Sequence, residues 1–344
     1  MRQRQGTSGV ERELRRVDGS VPDPAPAATR PRLPRTCALV VLLVLVLLVL
    51  AAWSISTAAR SAVLRTVFPR VQLVAQPGSA SAGTSAVAPS SPWIPGVEVV
   101  LWRRALPPLV LPSGYRPAGR GRPAILLCHG NGGYWAYHVD RMRQLASLFG
   151  PGDVDVYTYD YPGYGRSAGS PEVDTFHQTG IEVYERLAAM YGDGSRLLLV
   201  GESLGVVAAL RIANSAAGAQ RPPAGVVLIN GFSTLSEVAS SALGPFAAAL
   251  AASALRAGPA GGMDNLNEAL RLGTRRQQLP AVVVFASASD DRVVPPEHSR
   301  SLAEQCQAGG LCRHVRLVGD HNAWLDASGD LAETVRERTG LFAD

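Results

Sequence analysis

Residues 97–344 predict an α/β domain in which a mainly parallel central sheet is covered by helices on both faces, and two observations carry that prediction. Short, continuous apolar runs rich in β-branched residues recur along this stretch, and longer Ala- and Leu-rich stretches of helical length separate them. Continuous rather than alternating apolar strands are buried on both faces, and helical crossovers are what join parallel neighbours. The runs, in order, are AILLCHG (124–130), VDVYTYD (154–160), RLLLVGES (196–203), GVVLING (225–231), AVVVFAS (281–287) and RHVRLVGD (313–320). Helix candidates occupy 136–149, 173–191, 204–217 and 296–307. Between Gly231 and Thr274 there is room for a short helical excursion and not for a large lid domain. Its Leu, Phe and Ala residues suit ordinary core packing as well as an apolar acyl pocket or a membrane-facing flap. No internal repeat and no second domain is evident.

The segments before this domain differ in texture. Residues 1–36 carry eight Arg against four acidic residues together with VPDPAPAATRPRLP, the composition of a disordered tail. Residues 37–53, CALVVLLVLVLLVLAAW, form an unbroken apolar run. A bilayer core needs roughly 17–20 helical residues at about 1.5 Å each. A cleaved signal peptide competes, but its apolar core is about 7–15 residues behind a short leader. The longer run and the 36 preceding residues favour an uncleaved signal-anchor over 37–55. No polar face interrupts the run, which argues against a buried core helix. The Arg excess before the span predicts a cytoplasmic N-terminus and a domain that is extracytoplasmic or luminal. Residues 56–96, including AQPGSASAGTSAVAPSSP, read as a juxtamembrane segment and linker.

Composition narrows the function classes. The chain has 344 residues, 47% of them hydrophobic, and a net charge of +5 that belongs largely to the tail. There is no Arg-rich helix, no aromatic-basic stripe and no paired Cys/His spacing, so neither nucleic acid nor a metal is expected. Of the four Cys, Cys128 ends a strand and suits the core. Cys306 and Cys312 can close a small disulfide loop in an oxidising compartment, and Cys37 suits apolar filling or acylation.

The chemistry concentrates at strand ends. Two stretches match G-x-S-x-G: Gly165–Gly169 and Gly201–Gly205. A nucleophilic serine of this type sits on a sharp turn directly between a strand and a helix, with flanking glycines that avoid collision with both. Ser203 follows RLLLV and opens GVVAALRIANSA, whereas Ser167 runs into Gly169-Ser170-Pro171, which cannot start a helix. Ser203 therefore fits and Ser167 does not. Three His follow Ser203. His298 falls in a helix candidate and His314 begins a strand, while His321 lies in the loop just beyond HVRLV. The loop after the preceding strand holds Asp290 and Asp291, and Asp291 is preferred as the carboxylate that orients His321. Taken singly, an Asp pair can be a solvated turn and a loop His a surface residue. Their order along the chain, each at a strand end, favours a Ser203–Asp291–His321 set. His129-Gly130-Asn131-Gly132-Gly133 follows another strand, and the backbone N–H groups of Asn131 and Leu204 are the expected oxyanion donors. A phosphate loop would need Gly-Lys-Ser/Thr, and the chain has no lysine.

HGNGG, YDYPGYGRSAG, GESLG, DNLNEAL, DDRVVPP and GDHNAW, in that order, resemble the α/β-hydrolase superfamily. Within it they are most similar to the single-pass, membrane-anchored α/β-hydrolase-domain (ABHD) proteins, over roughly residues 97–344. The resemblance implies the α/β-hydrolase fold with a small or absent lid. It aligns Asp291 with the acid of a D-x-x-[IVL]-P-P pattern and makes DYPGYGRSAG a structural loop near the active-site mouth. Relatives often carry His-Asn-Asp where this chain has His321-Asn322-Ala323. It further implies a serine hydrolase without cofactor, acting as an esterase, lipase, thioesterase or amidase. A membrane tether favours lipid esters or acylated proteins as substrates. The alternatives are a tethered binding module that keeps the fold without catalysis, or an amidase or peptidase of the same superfamily.

Overall fold

A computed structural model of the chain describes residues 92–342 apart from 105, 117–121, 150–153, 171, 216–219, 235–236, 238–262, 275–278 and 307–309. The tail 1–36, the expected span 37–55, most of the linker 56–96 and Cys37 lie outside the described residues. Among the described residues no helix is long and apolar enough to cross a membrane.

All six apolar runs form strands. Two short strands precede them, β1 (Val99–Trp102) and β2 (Leu109–Val110), and the six are β3 (Ala124–Cys128), β4 (Asp155–Tyr159), β5 (Leu197–Glu202), β6 (Gly225–Ile229), β7 (Val282–Ala288) and β8 (Cys312–Gly319), with β9 (Trp324–Leu325) after them. The described strands form one sheet in the order β2-β1-β4-β3-β5-β6-β7-β8-β9. From β4 to β8 every pairing is parallel, whereas β1, β2 and β9 are antiparallel additions at the two edges. The edge strands carry too few residues for a periodic signal, which is why the sequence does not announce them.

The helices are α1 (Val139–Phe149), reached through a 3₁₀ turn at Trp135–His138, then α2 (Val173–Met190), α3 (Gly205–Asn214), α4 (Asn265–Thr274), α5 (Pro296–Gln305) and α6 (Asp330–Thr339). They cover both faces, and the strands show how. Leu197 and Leu199 of β5 join the core beneath α2, α3, α4 and α5. Leu198 and Val200, pointing the other way, join the core beneath α1 and α6. Strands β3 to β7 thus each feed two cores by simple alternation, while the buried Val315 and Leu317 of β8 both join the second. Trp93 and Ile94, placed in the linker by composition, are buried, and Trp93 N–H donates to Leu111 O at 3.0 Å. Cys306, after α5, is disulfide-bonded to Cys312 at the start of β8, and Cys128 is a buried free thiol.

Register aligns the strand ends that matter. Cys128 pairs with Gly201, Glu202 with Ile229, Ile229 with Ala286, and Ala288 with Leu317. The residues just beyond β3, β5, β6, β7 and β8 therefore emerge along one edge of the sheet.

On α2, His177 is buried, and that burial, reinforced by nearby Arg211, lowers its pKa from 6.5 to about 4. The unfolded chain takes up this proton first as pH falls, so the contribution is fully present above pH 6.5 and is lost towards pH 4. Between these values wild type should lose more stability than His177→Gln, the gap growing by at most about 1.4 kcal/mol per pH unit. Urea midpoints measured across the pH series check this, and parallel curves would contradict it.

Candidate active site

Ser203 is built on a turn that only its neighbours allow. Its φ is +52°, in the left-handed region that a side-chain-bearing residue rarely adopts. Ser203 N–H donates to Ile229 O at 2.9 Å, and its carbonyl accepts from Val206 N–H at 3.1 Å, opening α3. A Cβ at Gly205 would stand 1.9 Å from Cys128 O, and one at Gly201 would stand 2.6 Å from Gly205 O. The two glycines are therefore the condition for α3 to lie against β3 and β5. Ser167, the other pattern match, is buried in a loop. Its hydroxyl donates to Asp160 O at 2.7 Å and accepts from Glu98 N–H at 3.0 Å, stapling that loop to the start of β1.

Asp291 and His321 meet Ser203 from the two following loops. His321 Nε2 is 3.0 Å from Ser203 Oγ, and His321 Nδ1 is 2.6 Å from Asp291 Oδ2. The other carboxylate oxygen, Oδ1, accepts the N–H groups of Val293 and Val294 at 2.9 and 2.8 Å. A carboxylate so held can only accept from the ring, so Nδ1 carries the hydrogen and Nε2 faces the serine as an acceptor. Asp290 is exposed, and its carboxylate instead accepts from Ser289 Oγ at 3.1 Å, so the adjacent Asp pair divides between a surface residue and the imidazole partner. His298 lies in α5, where its Nδ1 is 2.6 Å from Ser233 Oγ, and His314 lies in β8, where its Nε2 is 2.9 Å from Ser287 Oγ. Neither is brought to Ser203.

The glycine loop after β3 borders the same serine, since a Cβ at Gly130 would be 3.6 Å from Ser203 Cβ. Asn131 follows Gly130, and Leu204 follows Ser203 at the start of α3. Two tyrosines of the DYPGYGRSAG loop hold the glycine loop in place. Tyr161 OH donates to His129 O at 2.5 Å, and Tyr164 OH donates to Asn131 Oδ1 at 2.8 Å. His129 stacks on His138 and Tyr161 with ring centroids 4.3 Å away in each case. Burial lowers the His129 pKa to about 4, which keeps its ring neutral beneath the loop.

One residue at this edge escaped sequence reasoning. Asn230, just beyond β6, has φ +52°; its Nδ2 donates to His321 O at 3.0 Å and its Oδ1 accepts from Ala288 N–H at 2.8 Å. Asn in a strand-to-loop junction is a residue type that tolerates this backbone, which was the available signal. A serine hydroxyl aligned on an imidazole, whose far nitrogen meets a buried carboxylate, is a geometry suited to activating the hydroxyl as a nucleophile. Among the described residues no group of three or more His, Cys, Asp or Glu could hold a metal ion.

Comparison with known proteins identifies the family. The alpha/beta hydrolase family model matches residues 125–334, more than half of the chain. An uncharacterized protein of Mycobacterium tuberculosis is 34% identical over 122 residues, which are 35% of this chain and 40% of that one. The chicken (Gallus gallus) lysophosphatidylserine lipase ABHD12 is 30% identical over 125 residues, 36% of this chain and 32% of the lipase. The matched stretch thus spans well under half the length of these relatives. The carboxylesterase EstE1, from a metagenomic library, superposes with a TM-score of 0.46 at 20% identity, covering 65% of this chain and 82% of that one.

Because a side chain at position 205 collides with backbone rather than with a movable side chain, Gly205→Ala should destabilise the protein by about 3 kcal/mol. Urea denaturation reads the loss, and a midpoint equal to wild type would contradict the packing described.

Proposed function

The chain belongs to the alpha/beta hydrolase family, and we propose that it is a membrane-anchored serine hydrolase that cleaves an acyl ester or thioester of a lipid or an acylated protein. The observation that supports this most is the unbroken line of contacts from Ser203 Oγ through His321 to Asp291, 3.0 and 2.6 Å long. In the proposed reaction Ser203 Oγ attacks the carbonyl carbon while His321 Nε2 takes the hydroxyl proton. Asp291 keeps the ring in its working tautomer and stabilises the imidazolium. The tetrahedral oxyanion accepts from the N–H groups of Asn131 and Leu204. Collapse expels the alcohol or thiol, which leaves with the proton from His321, and water then releases the acyl group by the same steps in reverse. No organic cofactor enters this sequence.

The apolar run at 37–53 supports a tether, and the Arg excess before it supports a domain facing away from the cytoplasm. The Cys306–Cys312 disulfide fits an oxidising compartment of that kind. A lipid ester as substrate is in keeping with the tether and with the lipase named among the relatives.

A fluorophosphonate probe applied to the full chain should modify Ser203, as read by peptide mass spectrometry. Ser203→Ala should abolish labelling and lower ester hydrolysis by about 10³-fold or more, whereas Ser167→Ala should still label. Absence of any Ser203 adduct would instead favour a binding module that keeps the fold.

A further inference from the structure

Glu202 immediately precedes Ser203, and Asn322 and Trp324 follow His321, yet the two segments are joined by one side chain from a third element. Arg141 on α1 makes a two-pronged contact with the Glu202 carboxylate, with Nε 3.0 Å from Oε2 and Nη2 2.7 Å from Oε1. Trp324 Nε1 donates to Glu202 Oε1 at 3.0 Å, and the Arg141 guanidinium lies 4.4 Å over the Trp324 ring. Arg141 Nη2 also donates to Asn322 O at 2.7 Å, and Gln144, bonded to Arg141 Nη1, donates from Nε2 to Trp324 O at 2.9 Å.

We propose that Arg141, Glu202 and Trp324 form a brace that sets the distance between Ser203 and His321, making all three positioning residues for the hydrolysis proposed above. The inference rests on that reading of Ser203 and His321. The brace is largely dry, because Trp324 is 1% exposed and the Arg141 and Glu202 side chains 11% and 9%. Burying a charged pair gains little stability over apolar packing of the same volume, so its value lies in direction and register. Here the direction is specific. Apart from the bond between Arg141 and Gln144 within α1, every bond of the brace ends on the residue before Ser203 or within three residues after His321. Asn230 completes the hold from the opposite side by tying His321 O to β7, which leads into Asp291. The imidazole is thereby fixed to the strand of its serine and to the strand of its carboxylate.

Misplacing reacting groups by about 1 Å can slow a reaction by roughly 100-fold. Two variants of the full chain isolate the brace. Trp324→Phe keeps an aromatic ring under Arg141 but removes the N–H donor together with part of the buried indole, and Glu202→Gln keeps the shape and removes the charge. With p-nitrophenyl acetate, each should lower kcat by about 10- to 100-fold with KM changed by less than about twofold. Fluorophosphonate labelling should slow by the same factor. Because both act on the one Glu202 side chain, their losses should be less than additive in the double variant. Where either variant fails to fold by circular dichroism, Arg141→Lys, which keeps the charge and loses the fork, is read the same way. Folded variants with wild-type kcat, with additive losses, or with the change confined to KM overturn the brace. If Ser203→Ala blocks labelling while Trp324→Phe labels at the wild-type rate, only the brace is overturned. Labelling that survives Ser203→Ala overturns the underlying reading of the site.

Discussion

The close approach of α3 to the sheet is the constraint on which the rest of the site depends. Helix and strand here are separated by less than a methyl group, as the 1.9 Å from an imagined Gly205 Cβ to Cys128 O makes plain. That proximity forces the chain to turn within one residue, and the residue that turns is Ser203, at φ +52°. A strained backbone of this kind costs on the order of 1–3 kcal/mol and persists only where the surroundings over-determine it. The surroundings do so here. Val206, Val207, Ala208, Ala209 and Leu210 of α3 are all buried, and Ser203 N–H is bonded to Ile229 O of the neighbouring strand.

Strain recurs at the same edge. Of the three described non-glycine residues with positive φ, Ser203 and Asn230 each stand one residue beyond adjacent parallel strands. Each also contacts His321, Ser203 at Nε2 and Asn230 at the backbone carbonyl. The polar groups that converge there are hydrogen-bonded to rigid elements and not to one another alone. Asp291 is held by Val293 and Val294 N–H, and the loop carrying His321 is turned by Asp320, whose Oδ1 accepts from Asn322 and Ala323 N–H at 2.9 and 2.8 Å. Such preorganisation lets few side-chain degrees of freedom be lost on reaction.

How much of this was legible in the sequence follows from the range of the interactions. Strands β3 to β7 were legible because burial on both faces writes a largely apolar run, whereas β8, with only Val315 and Leu317 buried, was legible through its alternation. The elbow was legible because its glycine spacing is a local steric requirement, and the same local test set Ser167 aside. Asp291 and His321 could be read only through their order after Ser203 and their places beyond strands. The edge strands were not legible, since β2 and β9 have two residues each and pair through tertiary contact. Asn230 left only its residue type as a local trace, and Arg141 left none. Arg141 lies in an ordinary amphipathic helix, and its partners are 61 and 181 positions away. Trp93 and Ile94 were hidden by the small, polar stretch before them.

The chain order of the site has a consequence in time. Ser203 and His321 are separated by 118 positions. Ribosomes add roughly 5–20 residues per second, so the serine exists for something on the order of ten seconds before its imidazole has been made. During that interval the elbow can already be formed, because β3, β5 and α3 precede it or adjoin it. Under the function proposed above, its hydroxyl then has no base and the nascent chain does not yet hydrolyse its substrate. Completion waits for β8 to pair with β7 and deliver His321, so the last parallel strand to be synthesised is also the one that brings the imidazole to Ser203.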